Sequence, residues 1–258
     1  MKNSSVSSDG TLHNLSVVMG VAFVIATLFT AWTEPGLLPG SLAERFNSAL
    51  GQNGTAPAVN YPTPTDRPLQ HIGIVAGHSG NDPGAVCPAE LGGIREVDVN
   101  LDIAERVRTL LVAEGFDVDL LTEFDPLLND YRSLALVSIH ADSCLYINDQ
   151  ATGFKVAAAM STQYPERALR LTSCLQSRYA AATNLRYHAN SVTPDMTSYH
   201  AFSEINPNTP AAIIEVGFLN LDWEFLTKKP DLAAQGIAQG ILCYVRNEDI
   251  SPQQQPQP

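Results

Sequence analysis

Four side chains in this sequence could do chemistry together. His78 closes the run "IVAGH", His140 closes "LVSIH", and Glu215 nearly closes "AIIEV". Glu96 follows the loop "DPGAVCPAELGGIR" and starts a long helical pattern. Two imidazoles and one carboxylate form the ligand set of a catalytic zinc site, which keeps a position for water. A further carboxylate beside that water can act as base. We therefore expect His78, Glu96 and His140 to hold one Zn2+ per domain, with Glu215 as the base. Spacing alone would equally allow Glu215 to be the ligand. Either histidine taken singly reads as an ordinary loop residue, and it is their joint placement with Glu96 and Glu215 that points to a metal. A carboxylate inside "AIIEVGF" is also costly to bury without a partner.

The elements that must position these residues follow from periodicity. "HIGIVAG" (71–77), "LALVSI" (134–139) and "AAIIEV" (211–216) read as buried strands, "FDVDLL" (116–121) as a half-buried one, and "GFKVAAAM" (153–160) as a further strand. A helix is expected over 97–115, with Val99, Ile103, Val107, Leu110 and Leu111 on one face and Gly115 as its stop. A second should open at Pro165 and run to about Ala182. A third should run from Pro230 to Val245. This alternation predicts an α/β domain: a largely parallel, mixed, twisted sheet with helices on both faces. In such a sheet the carboxyl ends of the strands line one edge, and ligands bind there. His78, His140 and Glu215 would then meet although they are far apart in sequence.

The chain has 258 residues and a net charge of −12. Residues 1–68 carry three basic and four acidic groups, which leaves −11 for the remainder. So acidic a domain is a poor fit to nucleic acid, which selects basic surfaces. "LSVVMGVAFVIATLFTAW" (15–32) has no charge and would span about 27 Å as a helix, enough for a bilayer core. We expect a transmembrane anchor at 15–32 behind a cytoplasmic segment at 1–14; a cleaved signal peptide is the competing reading. Both send the rest of the chain out of the cytoplasm, to an extracytoplasmic position on the cell membrane or beyond it. Residues 33–68 hold six prolines and four glycines and read as a linker, with a short helix at "SLAERFNSAL". The domain is expected over 69–248, followed by a disordered tail at 249–258.

"IVAGHSGNDPGA", "REVDVNLDIA", "LVSIHADS" and "AAIIEVGFLN" resemble, in order, the four signature segments of the zinc-dependent N-acetylmuramoyl-L-alanine amidases of the type-3 class. The resemblance spans nearly all of 71–246. It implies that His78, Glu96 and His140 bind zinc and that Glu215 is catalytic. It also implies a peptidoglycan substrate, cut between N-acetylmuramic acid and the L-alanine of the stem peptide. The pattern differs at Val75-Ala76, where the family has Asp-Pro, and in a shorter segment between "LLTEFD" and "LVSIH". Alternatives of other kinds are a cell-wall-binding module that no longer cleaves and a zinc peptidase acting on stem-peptide bonds.

His200 precedes the strand of Glu215 and is a candidate for lining the cleft and touching substrate; His188 reads as surface. Asn100 matches the family pattern, and hydrogen bonding within the fold is its expected role. Asp142 could hold the second nitrogen of His140 or only cap the loop. If His78 and His140 share a metal, the loops carrying Cys87 and Cys144 must be neighbours, so we expect a Cys87–Cys144 bridge. Direct thiolate ligation of the zinc is the less favoured alternative. Cys174 and Cys243 fall near apolar helix faces and are expected to be buried free thiols.

Overall fold

A computed structural model of the protein describes residues 71–250. The expectations for 1–14, 15–32, 33–68 and the tail from 251 fall outside the described residues. Among the described residues, no helix is long and apolar enough to cross a membrane.

Five strands are described: β1 (His71–Ala76), β2 (Asp117–Leu121), β3 (Leu136–Asp142), β4 (Lys155–Ala158) and β5 (Ala211–Phe218). They form one sheet in the order β2-β1-β3-β5-β4. The first four run parallel, and β4 lies antiparallel on β5. The sheet is therefore the expected mixed one. β3 extends past its predicted end, so His140 lies within the strand rather than after it.

Three long helices accompany the sheet: α1 (Glu96–Ala113), α2 (Pro165–Thr183) and, last in the chain, α6 (Pro230–Val245). Between α2 and α6 come three short ones: α3 (Pro194–Thr197), α4 (His200–Glu204) and α5 (Trp223–Lys228). Strand side chains alternate in direction. Ile72, Ile74, Ala76, Val137, Ile139, Ala141, Ala212, Ile214 and Val216 share a core with α1, α2 and α6. Val75, Leu136, Ala211 and Ile213 face the other way, onto Leu128, Tyr131, Met196, Phe202 and Ile205. Helices lie on both faces, as expected, but unequally. All the long helices lie on one face, and the other carries only α3, α4 and loop segments. Periodicity shows that a helix has an apolar side; it does not say which face of the sheet receives it.

The cysteines partly correct the sequence reading. Cys87 and Cys144 are bridged as expected, with Cα atoms 5.2 Å apart. Cys174 and Cys243 are not free thiols; they are bridged across α2 and α6, with Cα atoms 5.7 Å apart. The reason lies in α6. A Cβ on Gly236 would meet the Tyr179 Cα at 2.9 Å, and one on Gly240 would meet the Leu175 Cα at 2.7 Å. With no side chain at these two positions, the helices approach closely enough for the next inward residue, Cys243, to reach Cys174.

Candidate metal and catalytic site

The parallel strands deliver the expected residues to one edge. His78 lies two residues beyond β1, and Glu96 is the first residue of α1. His140 lies in β3 directly opposite Glu215 in β5. Both belong to the alternation that faces away from the long helices, where only short elements cover the sheet. The edge that gathers these residues and the thinly covered face thus coincide.

His78, Glu96 and His140 offer ligand atoms that all lie within 4.8 Å of one another. Glu96 Oε1 is 3.2 Å from His78 Nε2 and 3.3 Å from His140 Nδ1. Ligands at tetrahedral corners, bonded to zinc at about 2.0–2.1 Å, stand about 3.3 Å apart. The donor set and its spacing therefore fit such an ion.

Glu96 is buried and held from three sides. The Ala85 N–H donates to Oε2 at 3.1 Å; the Asn100 amide and the Ala141 N–H each donate to Oε1 at 3.3 Å. Burial alone would raise its pKa, but the His140 hydrogen bond, the Ala85 N–H and the charges of both histidines outweigh this and hold it below the usual carboxylate value. Burial likewise works against the charged form of His140. Its hydrogen bond to Glu96 and the surrounding carboxylates of Glu215, Glu123 and Glu96 reverse the effect and raise it. The cluster is thus negative enough to hold a cation. Asn100 has its expected fold-internal role, donating also to the Gly77 carbonyl at 3.2 Å.

Glu215 differs from Glu96. The residue is half-buried, yet its Oε2 is sealed and has no hydrogen-bond partner. Burial, helped by Asp142 and Glu96 and opposed by His140 and Lys155, pushes its carboxyl up to about 7.

Asp142 does not hold His140. It pairs with the buried Lys155 of β4 and accepts the Ser143 N–H at 2.8 Å. The antiparallel strand β4 brings Lys155 opposite Glu215, a placement no sequence pattern announces. His200 reaches the cleft only at second hand. Its ring nitrogens lie 2.9 Å from Glu204 Oε1 and 2.9 Å from Glu123 Oε1, and its ring stacks on Phe124 at 4.2 Å. His188 sits apart, bonded to Ser191 and the Gln150 carbonyl.

The residue that the sequence reading missed is Glu123, two positions past β2. It is 6% exposed and lies among the His78 turn, His140 of β3 and the 199–200 segment. Burial is outweighed by His140, His200, the His78 N–H and Tyr199, so its carboxyl is held low. A signal existed. The strand-end rule that found His78, His140 and Glu215 applies equally to β2, whose end is "LLTEFD".

Residues 72–243 match the family described as N-acetylmuramoyl-L-alanine amidase. The germination-specific N-acetylmuramoyl-L-alanine amidase of Bacillus subtilis (strain 168) is 30% identical over 200 residues, covering 69% of this chain and 80% of that protein. Among solved structures, the amidase AmiC2 of Nostoc punctiforme shares the fold at a TM-score of 0.56 and 23% identity, over 69% of this chain and 98% of that one. The CwlD amidase of Clostridioides difficile, solved in complex with the GerS lipoprotein, gives a TM-score of 0.56 at 21% identity, over 69% and 100% of the two chains. A strand-edge cluster of two histidines and a glutamate, the family match over most of the described residues and the curated relative agree: the chain belongs to the N-acetylmuramoyl-L-alanine amidase family.

Proposed function

We propose that this peptidoglycan amidase is a zinc enzyme, with His78, Glu96 and His140 as the metal ligands and Glu215 as the catalytic base. It hydrolyses the amide between N-acetylmuramic acid and the L-alanine of the stem peptide. One observation carries the assignment of roles: the two carboxylates near His140 sit in opposite states. Glu96 is saturated with donors and held ionised, as a ligand must be. Glu215 keeps an unpartnered oxygen and a carboxyl near 7, the range that suits a group taking and returning a proton.

A zinc ion in this cluster supplies Lewis acidity, which activates water near neutral pH and polarises the substrate carbonyl. The chain's residues do the rest. Glu96, fixed by Ala85, Asn100 and Ala141, presents its Oε1 to both imidazoles. Glu215 takes the proton of the attacking water at its carboxylate and delivers it to the departing alanine nitrogen. Asp142, neutralised by Lys155, stays out of that transfer.

The proposal extends to place. Two disulfides suit an oxidising compartment, and "LSVVMGVAFVIATLFTAW" suits a membrane anchor or a cleaved signal. We read the domain as extracytoplasmic. The test is mass spectrometry of purified murein digested by the protein, with and without a chelator. Free stem peptides starting at L-alanine, lost on chelation and restored by Zn2+, are expected. Cuts within the stem peptide, or no soluble product with zinc present, would overturn the assignment.

A further inference from the structure

We propose that Glu123 is the positioning residue of the metal centre, one carboxylate that orients both histidine ligands. The inference rests on reading His78, Glu96 and His140 as that centre. Glu123 sits at the carboxyl end of a strand that contributes no ligand, and its two oxygens divide their work. Oε2 accepts the His78 backbone N–H at 2.6 Å and faces His140 Nε2 at 3.7 Å. Oε1 accepts the Tyr199 hydroxyl at 2.9 Å and lies 2.9 Å from His200 Nε2.

The contact to His78 matters because of its backbone. His78 has φ of 64°, the left-handed region that side chains other than glycine rarely adopt. Such a conformation persists only where surrounding bonds over-determine it. Here the Glu123 side chain holds the His78 N–H, and the Glu123 N–H donates to the next carbonyl, that of Ser79, at 3.0 Å. The chain at 123 therefore grips the turn from two sides and aims the His78 ring at Glu96.

The contact to His140 concerns the ring. Nδ1 faces Glu96, and Nε2 is sealed from water without a hydrogen-bond partner. Glu123 Oε2 gives that nitrogen a carboxylate to face at 3.7 Å, so with zinc in the cluster the Nε2 proton would point to Glu123 and the Nδ1 lone pair to the metal. A metal-bound imidazole ordinarily has such an acceptor behind it. His78 has its own in Asp82, at 2.7 Å from Nδ1. Tyr199 packs its ring edge-on against His140 at 5.4 Å, a contact a phenylalanine ring would keep.

The test measures zinc affinity of the whole protein by competition with a chromophoric chelator, and the visible spectrum of its Co2+ form. Glu123→Ala should weaken zinc binding about 10–100-fold, the usual range for losing a group behind a ligand, and should change the Co2+ spectrum. Glu123→Gln should recover part of the loss, because its amide oxygen can still accept the His78 N–H. Tyr199→Phe, which removes a bond only from the other oxygen, should leave affinity within about 3-fold of wild type, well below that range. If Glu123→Ala does not fold, Glu123→Asp, with its charge kept and its reach shortened, should still weaken binding about 10-fold. Wild-type affinity and an unchanged Co2+ spectrum in a folded Glu123→Ala or Glu123→Asp overturn this inference alone. Equal weakening by Tyr199→Phe also overturns it, since the effect would then belong to the network as a whole. A wild-type protein that binds no zinc overturns the metal reading and this inference together.

Discussion

Replacing Glu215 by Gln should make the metal-free protein more stable, and increasingly so as pH rises. Burial lifts the Glu215 carboxyl from an ordinary 4.5 to about 7. Between these values the folded state holds a proton that the unfolded state has lost, so stability falls as pH rises through the window. Below 4.5 both states are protonated and the penalty vanishes; above about 7 it is complete. At 1.36 kcal/mol per pH unit, the wild type forfeits about 1 kcal/mol at pH 5 and about 3 kcal/mol at pH 8. Glutamine has nearly the same shape and no charge to desolvate. For a domain of this size each kcal/mol moves the melting temperature by about 2–4 °C. The variant's advantage should therefore grow from roughly 2–4 °C at pH 5 to roughly 6–12 °C at pH 8. Calorimetry of both proteins in chelator, at matched ionic strength, reads it directly. A difference in melting temperature that is flat with pH would refute the reasoning, because the Glu215 carboxyl would then titrate normally.

Two further substitutions probe how the site is held. Changing Cys174 and Cys243 together to Ala opens a loop of 69 residues. Chain entropy sets a ceiling of about 4 kcal/mol for that cross-link, and a loss of 2–4 kcal/mol should lower the melting temperature by about 5–15 °C. Unchanged melting, with two alkylatable thiols in the denatured, unreduced wild type, would mean that the bridge is not there. Gly77→Ala would place a Cβ 2.4–2.6 Å from three atoms of the His140 ring. The ring must move, and we expect the turnover of released stem peptide to fall by about 100-fold, the scale of an ångström's misplacement. Near-wild-type turnover would show that the ring yields without consequence.

Much of this site was legible because parallel sheets obey a simple rule about strand ends. Applied to three strands, the rule brought His78, His140 and Glu215 together, and the helix start added Glu96. It also placed Cys87 beside Cys144. The misses arose where a residue's partner comes from an unrelated element. Cys174 and Cys243 were rightly read as buried, but their pairing depends on how α2 and α6 meet. The spacing of Gly236, Gly240 and Cys243 was the available hint. Asp142 had two roles open, and Lys155, on an antiparallel strand, decided between them. Glu123 escaped because Tyr199 and His200, its partners, lie more than seventy residues later in a loop-rich segment. The unequal coverage of the two sheet faces is likewise a matter of crossover direction.

The Cys87–Cys144 bridge has a consequence for the order of maturation. It joins residues 57 apart, one in the loop between His78 and Glu96 and the other just after β3. A newly made chain in a reducing cytosol would carry these two thiols apart, with nothing covalent between the loops that flank the cluster. Only on meeting an oxidant does the cleft gain its crosspiece. If the domain is exported as proposed, its most rigid form first exists beside the polymer it cuts. The cell would then carry the unfinished tool inside and assemble it only at the place of use.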